Sequence, residues 1–172
     1  YKMYENTSPE EALQIFYKGF TDFYNDSLKQ RTKQIGLTVH QVLTLASIIK
    51  GETNLEDEMP AISAVYHNRL RIGMRLQADP TIQYLLQDGW RRLTYQDLKI
   101  ESPYNTYKYS GLPPGPINNP GADAILAALY PGKNNYLYFV ANGNGGHRFA
   151  KSYSDHLRNV VQYRRWLNSQ NK

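Results

Sequence analysis

The stretch Leu45-Ala46-Ser47-Ile48-Ile49-Lys50-Gly51-Glu52-Thr53 reads as the last turns of an amphipathic helix. Thr38 with Gln41 three residues on has capping-box spacing and marks the start of that helix. Val42, Leu45, Ala46 and Ile49 recur at helical period and form its buried stripe. At about 100° per residue, Glu52 falls about 20° from Leu45, between Ile48 and Ile49. A carboxylate on an apolar stripe is costly, because burial disfavours its charged form. The negative end of the helix dipole acts in the same direction, so both raise the pKa. General acids that work near neutral pH need such a shift. The spacing equally allows a helix that frays at Gly51 and turns Glu52 to solvent.

Upstream, residues 8–34 read as one long helix. Ser8 is a good N-cap, Pro9 suits the first turn, and Glu10 and Glu11 complement the positive helix end. Leu13, Phe16, Tyr17, Phe20 and Phe23 supply the helical period, and Gly36 ends it. Downstream, Ile62, Val65, Tyr66 and Leu70 predict a helix over 59–71, with shorter helices at 79–86 and 94–99. From Glu101 to Gly121 periodicity stops: ESPYNTYKYSGLPPGPINNPG holds five prolines, three glycines and three tyrosines. So long an irregular stretch is usually functional or disordered, and its aromatic content argues for a binding loop. Residues 122–130 predict a short apolar helix. Tyr136–Val140 predicts a strand, Asn142–Gly146 a hairpin turn and His147–Phe149 the partner strand. A final helix is capped by Ser154 or Asp155 and runs to about Asn168. The fold class is α+β: a mostly helical domain with a small antiparallel hairpin and a long substrate-binding loop. The domains expected are a helical N-terminal segment over 1–36 and a catalytic domain over 37–172.

Composition narrows the chemistry. The 172 residues contain no cysteine, which removes disulfide scaffolds, thiolate nucleophiles and Cys-type metal sites. No run of eighteen apolar residues exists to span a membrane, and the first residues lack the apolar core of a signal peptide. The net charge of +5 suits nucleic acid, anionic lipid or an acidic polymer. However, the arginines occur in small groups (69, 71 and 75; 91–92; 164–165), without the dense block of a nucleic-acid tail. His40, His67, His147 and His156 have no metal-ligand spacing, so neither metal nor cofactor is expected. Fifteen tyrosines suit the flat faces of sugars, although several must serve the core. Asp79, before Pro80, reads either as an N-cap or as a second catalytic carboxylate.

Four stretches carry a resemblance: LASIIKGET (45–53), YHNRLRIGMRLQADPTIQY (66–84), SPYNTYKYSGLPPGPINNPGADAILAAL (102–129) and YLYFVANGNGGHRF (136–149). Together they resemble the YceG-like (MltG) endolytic murein transglycosylases from about Thr38 to Gln162. That resemblance implies cleavage within nascent, uncrosslinked peptidoglycan strands, leaving a 1,6-anhydro-N-acetylmuramic acid end. It also implies peptidoglycan strands and wall-synthesis enzymes as partners, and action on the extracytoplasmic face of the bacterial membrane. A membrane anchor and a LysM-like subdomain ahead of this segment are further expectations. Glu52 matches the catalytic glutamate of a family motif close to ASI-x-EKET. Lys50 replaces the motif's earlier glutamate and Gly51 its lysine, and helical geometry points Lys50 away from Glu52. By position in these motifs, Arg69, Gln77, Asp79, Tyr104, Asn105, Tyr107 and His147 are candidate substrate-binding residues. The competing readings are a two-carboxylate hydrolase using Glu52 and Asp79, and a non-catalytic peptidoglycan-binding module.

Overall fold

The computed structural model describes residues 3–86 and 89–170; the outermost residues of both expected domains, at 1–2 and 171–172, lie outside them. The chain forms two compact units, Tyr1–Val39 and His40–Lys172. The first unit holds α1 (Pro9–Phe23) and α2 (Asp26–Gln34). Ser8 caps α1 as expected, and Glu11 reciprocates by accepting the Ser8 N–H, which completes a capping box. The single helix expected over 8–34 is two helices. Asn25 takes an extended conformation and its side chain accepts the Leu28 N–H, which starts a new helix while Tyr24 ends the old one. The apolar stripe of α1 buries none of its residues: Leu13 and Tyr17 are exposed.

The second unit is built around α3 (Val39–Glu52) and α4 (Met59–Arg71), joined by a 3-10 turn at Glu56–Glu58. Val42, Leu45, Ala46, Ile48 and Ile49 of α3 are fully buried, as is most of the apolar face of α4. α4 is also a polar strut. His67 bonds the Ala128 carbonyl, and Asn68 donates to the carbonyls of Asn134 and Tyr136. Arg69 donates Nε to Leu137 O (2.7 Å) and Nη1 to Leu76 O (2.5 Å). Three consecutive side chains thus satisfy backbone that no helix or sheet ladder serves, which buried carbonyls require.

α5 (Asp79–Gln83) and a 3-10 turn at Asp97–Lys99 are shorter than the helices expected at 79–86 and 94–99. Ala78, not Asp79, occupies the N-cap of α5, and no side chain caps it. The Asp79 carboxylate is instead free to face a tyrosine (below). The 101–121 stretch is irregular but braced. Asn105 is completely buried; its amide donates to Leu98 O and Ile100 O, and its Oδ1 accepts the Tyr107 N–H. Further along, Ile117 N–H donates to Ser47 Oγ and the Asn118 amide to Ser47 O, tying the loop to α3. α6 (Gly121–Leu129) is buried along one side.

Among the described residues the sheet is one antiparallel pair, β1 (Tyr138–Ala141) with β2 (His147–Ala150), so the α+β class is borne out. The hairpin turn is closed by Asn142, whose N–H donates to Gly146 O and whose Oδ1 accepts from Asn144 and Gly146. Gly143 has φ +92°, and a Cβ there would lie 2.4 Å from the Trp166 ring, so only glycine suits. α7 (Tyr153–Gln170) then packs on the hairpin. Its first turn is capped by Ser152, whose Oγ accepts the Asp155 N–H, rather than by Ser154 or Asp155. None of the described helices is long and apolar enough to cross a membrane.

Candidate active site

α3 does not fray. Its hydrogen bonding runs on to Thr53 N–H, which donates to Ile49 O, so Glu52 is held on the helix as its last residue. Its carboxyl lines a cleft of about 540 Å³. Arg69 and Tyr107 line the same cleft, with Gln77, Asp79 and His147. Five of the seven substrate-binding candidates therefore meet around Glu52.

Burial pushes the Glu52 carboxyl up to about 7, with the nearby Asp79 charge adding to the rise. Two groups oppose this: the Tyr66 hydroxyl, which donates to Glu52 Oε1 at 2.5 Å, and the Arg69 guanidinium. Lys50 is not among them; its Nζ donates to Asn54 Oδ1, away from the site. Where the motif has lysine, Gly51 leaves room for Pro80: a Cβ on Gly51 would sit 2.6 Å from that ring. The glycine thus lets the first turn of α5, and Asp79 with it, lie against the end of α3.

Each remaining candidate has a definite post. Asp79 accepts the hydroxyl of Tyr107, whose own ionisation is suppressed by burial and by the Asp79 charge. Gln77 has φ +48°, among the described residues the one positive φ outside glycine, while its side chain is exposed at the cleft. Its N–H donates to Thr106 O, and Ala78 N–H to Thr106 Oγ1, so the loop holds this unfavourable backbone in place. Arg69 is buried and spends Nε and Nη1 on carbonyls, so its first duty is to fix the cleft wall. Two candidates stand apart. Asn105 is spent inside the loop, and Tyr104 packs against the Tyr84 ring, with its hydroxyl beside Gly115.

Several contributors have no distinguishing mark in the sequence. Tyr66 reads there as a core residue of α4, and only the packing of α3 on α4 brings it to Glu52. Glu58 accepts both the His147 backbone N–H (2.8 Å) and Nδ1 (2.7 Å). A carboxylate only accepts, so Nδ1 carries the proton and the ring is fixed in orientation. Gly146 permits this approach, since a Cβ there would fall 2.5 Å from Glu58 Oε1. Tyr138 and His156 stack at 5.3 Å in the cleft wall, and Tyr153 and Tyr163 of α7 also line it. Among the described residues, no three His, Asp or Glu side chains converge to hold a metal ion.

Replacing Tyr66 with Phe removes the bond that holds the Glu52 pKa down, so that pKa climbs further. Protonated Glu52 is then kept to higher pH, and the alkaline limb of the activity profile moves upward. Loss of a bond to a charged group should also lower turnover about tenfold to a hundredfold. A pH series of kcat/KM for both proteins measures this; an unmoved alkaline limb means that Tyr66 does not tune Glu52.

Comparison with known proteins decides the family: the sequence model of the YceG-like family matches residues 1–162. The chain belongs to the YceG-like family. Its curated relatives include the endolytic murein transglycosylase of Bacillus subtilis (strain 168), 40% identical over 158 residues, which cover 92% of this chain and 44% of that protein. The endolytic murein transglycosylase of Streptococcus pneumoniae serotype 2 is 33% identical, over 95% of this chain and 30% of that one. This YceG-like chain therefore spans less than half the length of either relative. A crystal structure of a YceG-like protein from Listeria monocytogenes superimposes with a TM-score of 0.78 at 39% identity, covering 92% of this chain and 51% of that one.

Proposed function

We propose that this YceG-like chain is the catalytic part of an endolytic lytic transglycosylase, which cuts the MurNAc–GlcNAc bond within nascent peptidoglycan strands. The observation that carries the reading is Glu52: a carboxylic acid shifted to about 7, bonded by Tyr66, in a cleft walled by tyrosines. The relatives named endolytic murein transglycosylase supply the substrate class.

One such acid suffices for this chemistry. Glu52 gives its proton to the leaving glycosidic oxygen. As carboxylate it then takes the proton of the muramic acid 6-hydroxyl, which attacks its own anomeric carbon. The attack is intramolecular, so proximity does what a second carboxylate and a water do in a hydrolase. The product is a 1,6-anhydro-N-acetylmuramic acid end, and the strand is terminated. Around the acid, the exposed ring of Tyr153 offers a face to a sugar, and Gln77 and His147 offer hydrogen bonds to hydroxyl or acetamido groups. Asn105 and Tyr104 serve by shaping the loop. Since murein lies outside the cytoplasm, the enzyme works at the outer face of the membrane, anchored through the longer protein and beside wall-synthesis enzymes.

The rival hydrolase needs Asp79 as a base for water. Asp79 already accepts a tyrosine hydroxyl, which suits a fixed charge that adds to the effect of burial in raising the Glu52 pKa. Asp79→Asn is therefore expected to retain activity on uncrosslinked glycan within about tenfold of wild type, while the Glu52 pKa falls. Loss of turnover beyond a thousandfold, with the fold intact, would point to two catalytic carboxylates.

A further inference from the structure

A second cavity, of about 530 Å³, adjoins the Glu52 cleft through the wall that Asp79 and Tyr107 share. Arg92 and Arg164 line it, from the 90–98 loop and from α7, with the exposed ring of Tyr95. The neighbouring arginine shows by contrast what a committed guanidinium does here. Arg91 makes a bidentate pair with the buried Asp97 at 2.7 and 2.8 Å, and Asp97 also accepts from the N–H and the hydroxyl of Thr94. The Arg91 carbonyl accepts from Gln83, and its Nη1 reaches Arg92 O. This bracing holds the Arg92 backbone in place. Yet neither Arg92 nor Arg164 has an acidic partner among the described residues. Among the described residues, the one carboxylate lining the cavity is Asp79, at the shared wall and bonded by Tyr107.

Two guanidiniums without an acidic partner among the described residues, delivered by two elements to a hollow beside the Glu52 cleft, form a carboxylate-binding arrangement. On the reading that Glu52 cleaves peptidoglycan, we propose that this cavity receives the carboxylates of the stem peptide on a muramic acid next to the cut. The stem branches from the sugar ring itself, so a sugar seated in the cleft projects it into an adjoining hollow. Before cross-linking, each stem ends in a free carboxylate. Cross-linking removes it from the donor stem, whose terminal residue leaves as the preceding carbonyl becomes an amide with the acceptor's amine. The arginines therefore favour nascent strands over mature ones.

The test compares uncrosslinked glycan carrying intact stems with the same glycan after an amidase has removed them, which leaves only lactyl carboxylates. Wild type is expected to cleave stem-bearing strands with a kcat/KM at least tenfold higher, and added salt should erode that preference. In Arg92→Gln/Arg164→Gln the ratio should fall to near one, through loss on the stem-bearing strands. A double variant that keeps the wild-type ratio overturns the proposal, as does a wild type that favours stripped strands. Failure of wild type to cleave either glycan would instead defeat the transglycosylase reading itself.

Discussion

Glu52→Gln is expected to abolish cleavage of uncrosslinked glycan and to stabilise the fold at pH 7.5. Glutamine can still accept the Tyr66 hydroxyl but cannot deliver a proton, and loss of a positioned acid typically costs about 10²–10⁴ in rate. The stability sign follows from linkage. In the unfolded chain the carboxyl titrates near 4.5, and in the native state near 7. Between those values the native state keeps a proton that the unfolded state has lost, so wild-type stability falls as pH rises through the window. The full difference comes to about 3 kcal/mol at most, and water in the open cleft reduces it. Melting both proteins at pH 4 and 7.5 checks this: the advantage of the glutamine variant should be small at pH 4 and largest at pH 7.5. A variant less stable than wild type at the higher pH would mean that Glu52 is not a desolvated acid.

Glu58→Ala should be the most damaging single change outside Glu52. It leaves the His147 N–H and Nδ1 without their acceptor, and bonds to a charged group are worth about 1.5–3 kcal/mol each. We expect a loss of about 2–4 kcal/mol in stability, together with at least a tenfold loss in kcat/KM as His147 leaves its place in the cleft wall. Glu58→Gln, which keeps one acceptor oxygen for the backbone N–H, should be milder on stability than on activity. Chemical denaturation and steady-state kinetics on the two variants separate these effects. Full activity in the alanine variant would show that His147 has no part in the site.

What the sequence reveals about this site follows the range of the interactions involved. The helical period puts Glu52 on the buried stripe of α3 provided the helix outlasts Gly51, because a helix repeats its faces without reference to anything else. That it does so shows only in the Thr53 N–H bond to Ile49 O. The bounds of α4 follow from the same local signal. The break at Tyr24–Asn25 escapes that reading: no Pro or Gly marks it, and one Asn side chain accepting the Leu28 N–H starts a new helix there. The posts of Tyr66 and Glu58 are not legible either, since each depends on packing between elements 14 and 89 residues apart in the chain. Motif membership points to the right neighbourhood without separating duties. Gln77, Asp79, Tyr107 and His147 face the cleft, whereas the equally prominent Asn105 is consumed by the loop that carries Tyr107. A buried amide and a sugar-binding amide look alike until their partners are known.

The central claim is that Glu52 acts without a second carboxylate, and the product reports on it directly. Uncrosslinked glycan digested by the wild-type chain should yield fragments whose muramic acid ends are closed on their own 6-hydroxyl. By mass spectrometry, such fragments are lighter by one water than hydrolysis products, and borohydride leaves their mass unchanged. Fragments that carry the added water and gain two hydrogens on reduction would identify a hydrolase and contradict the mechanism.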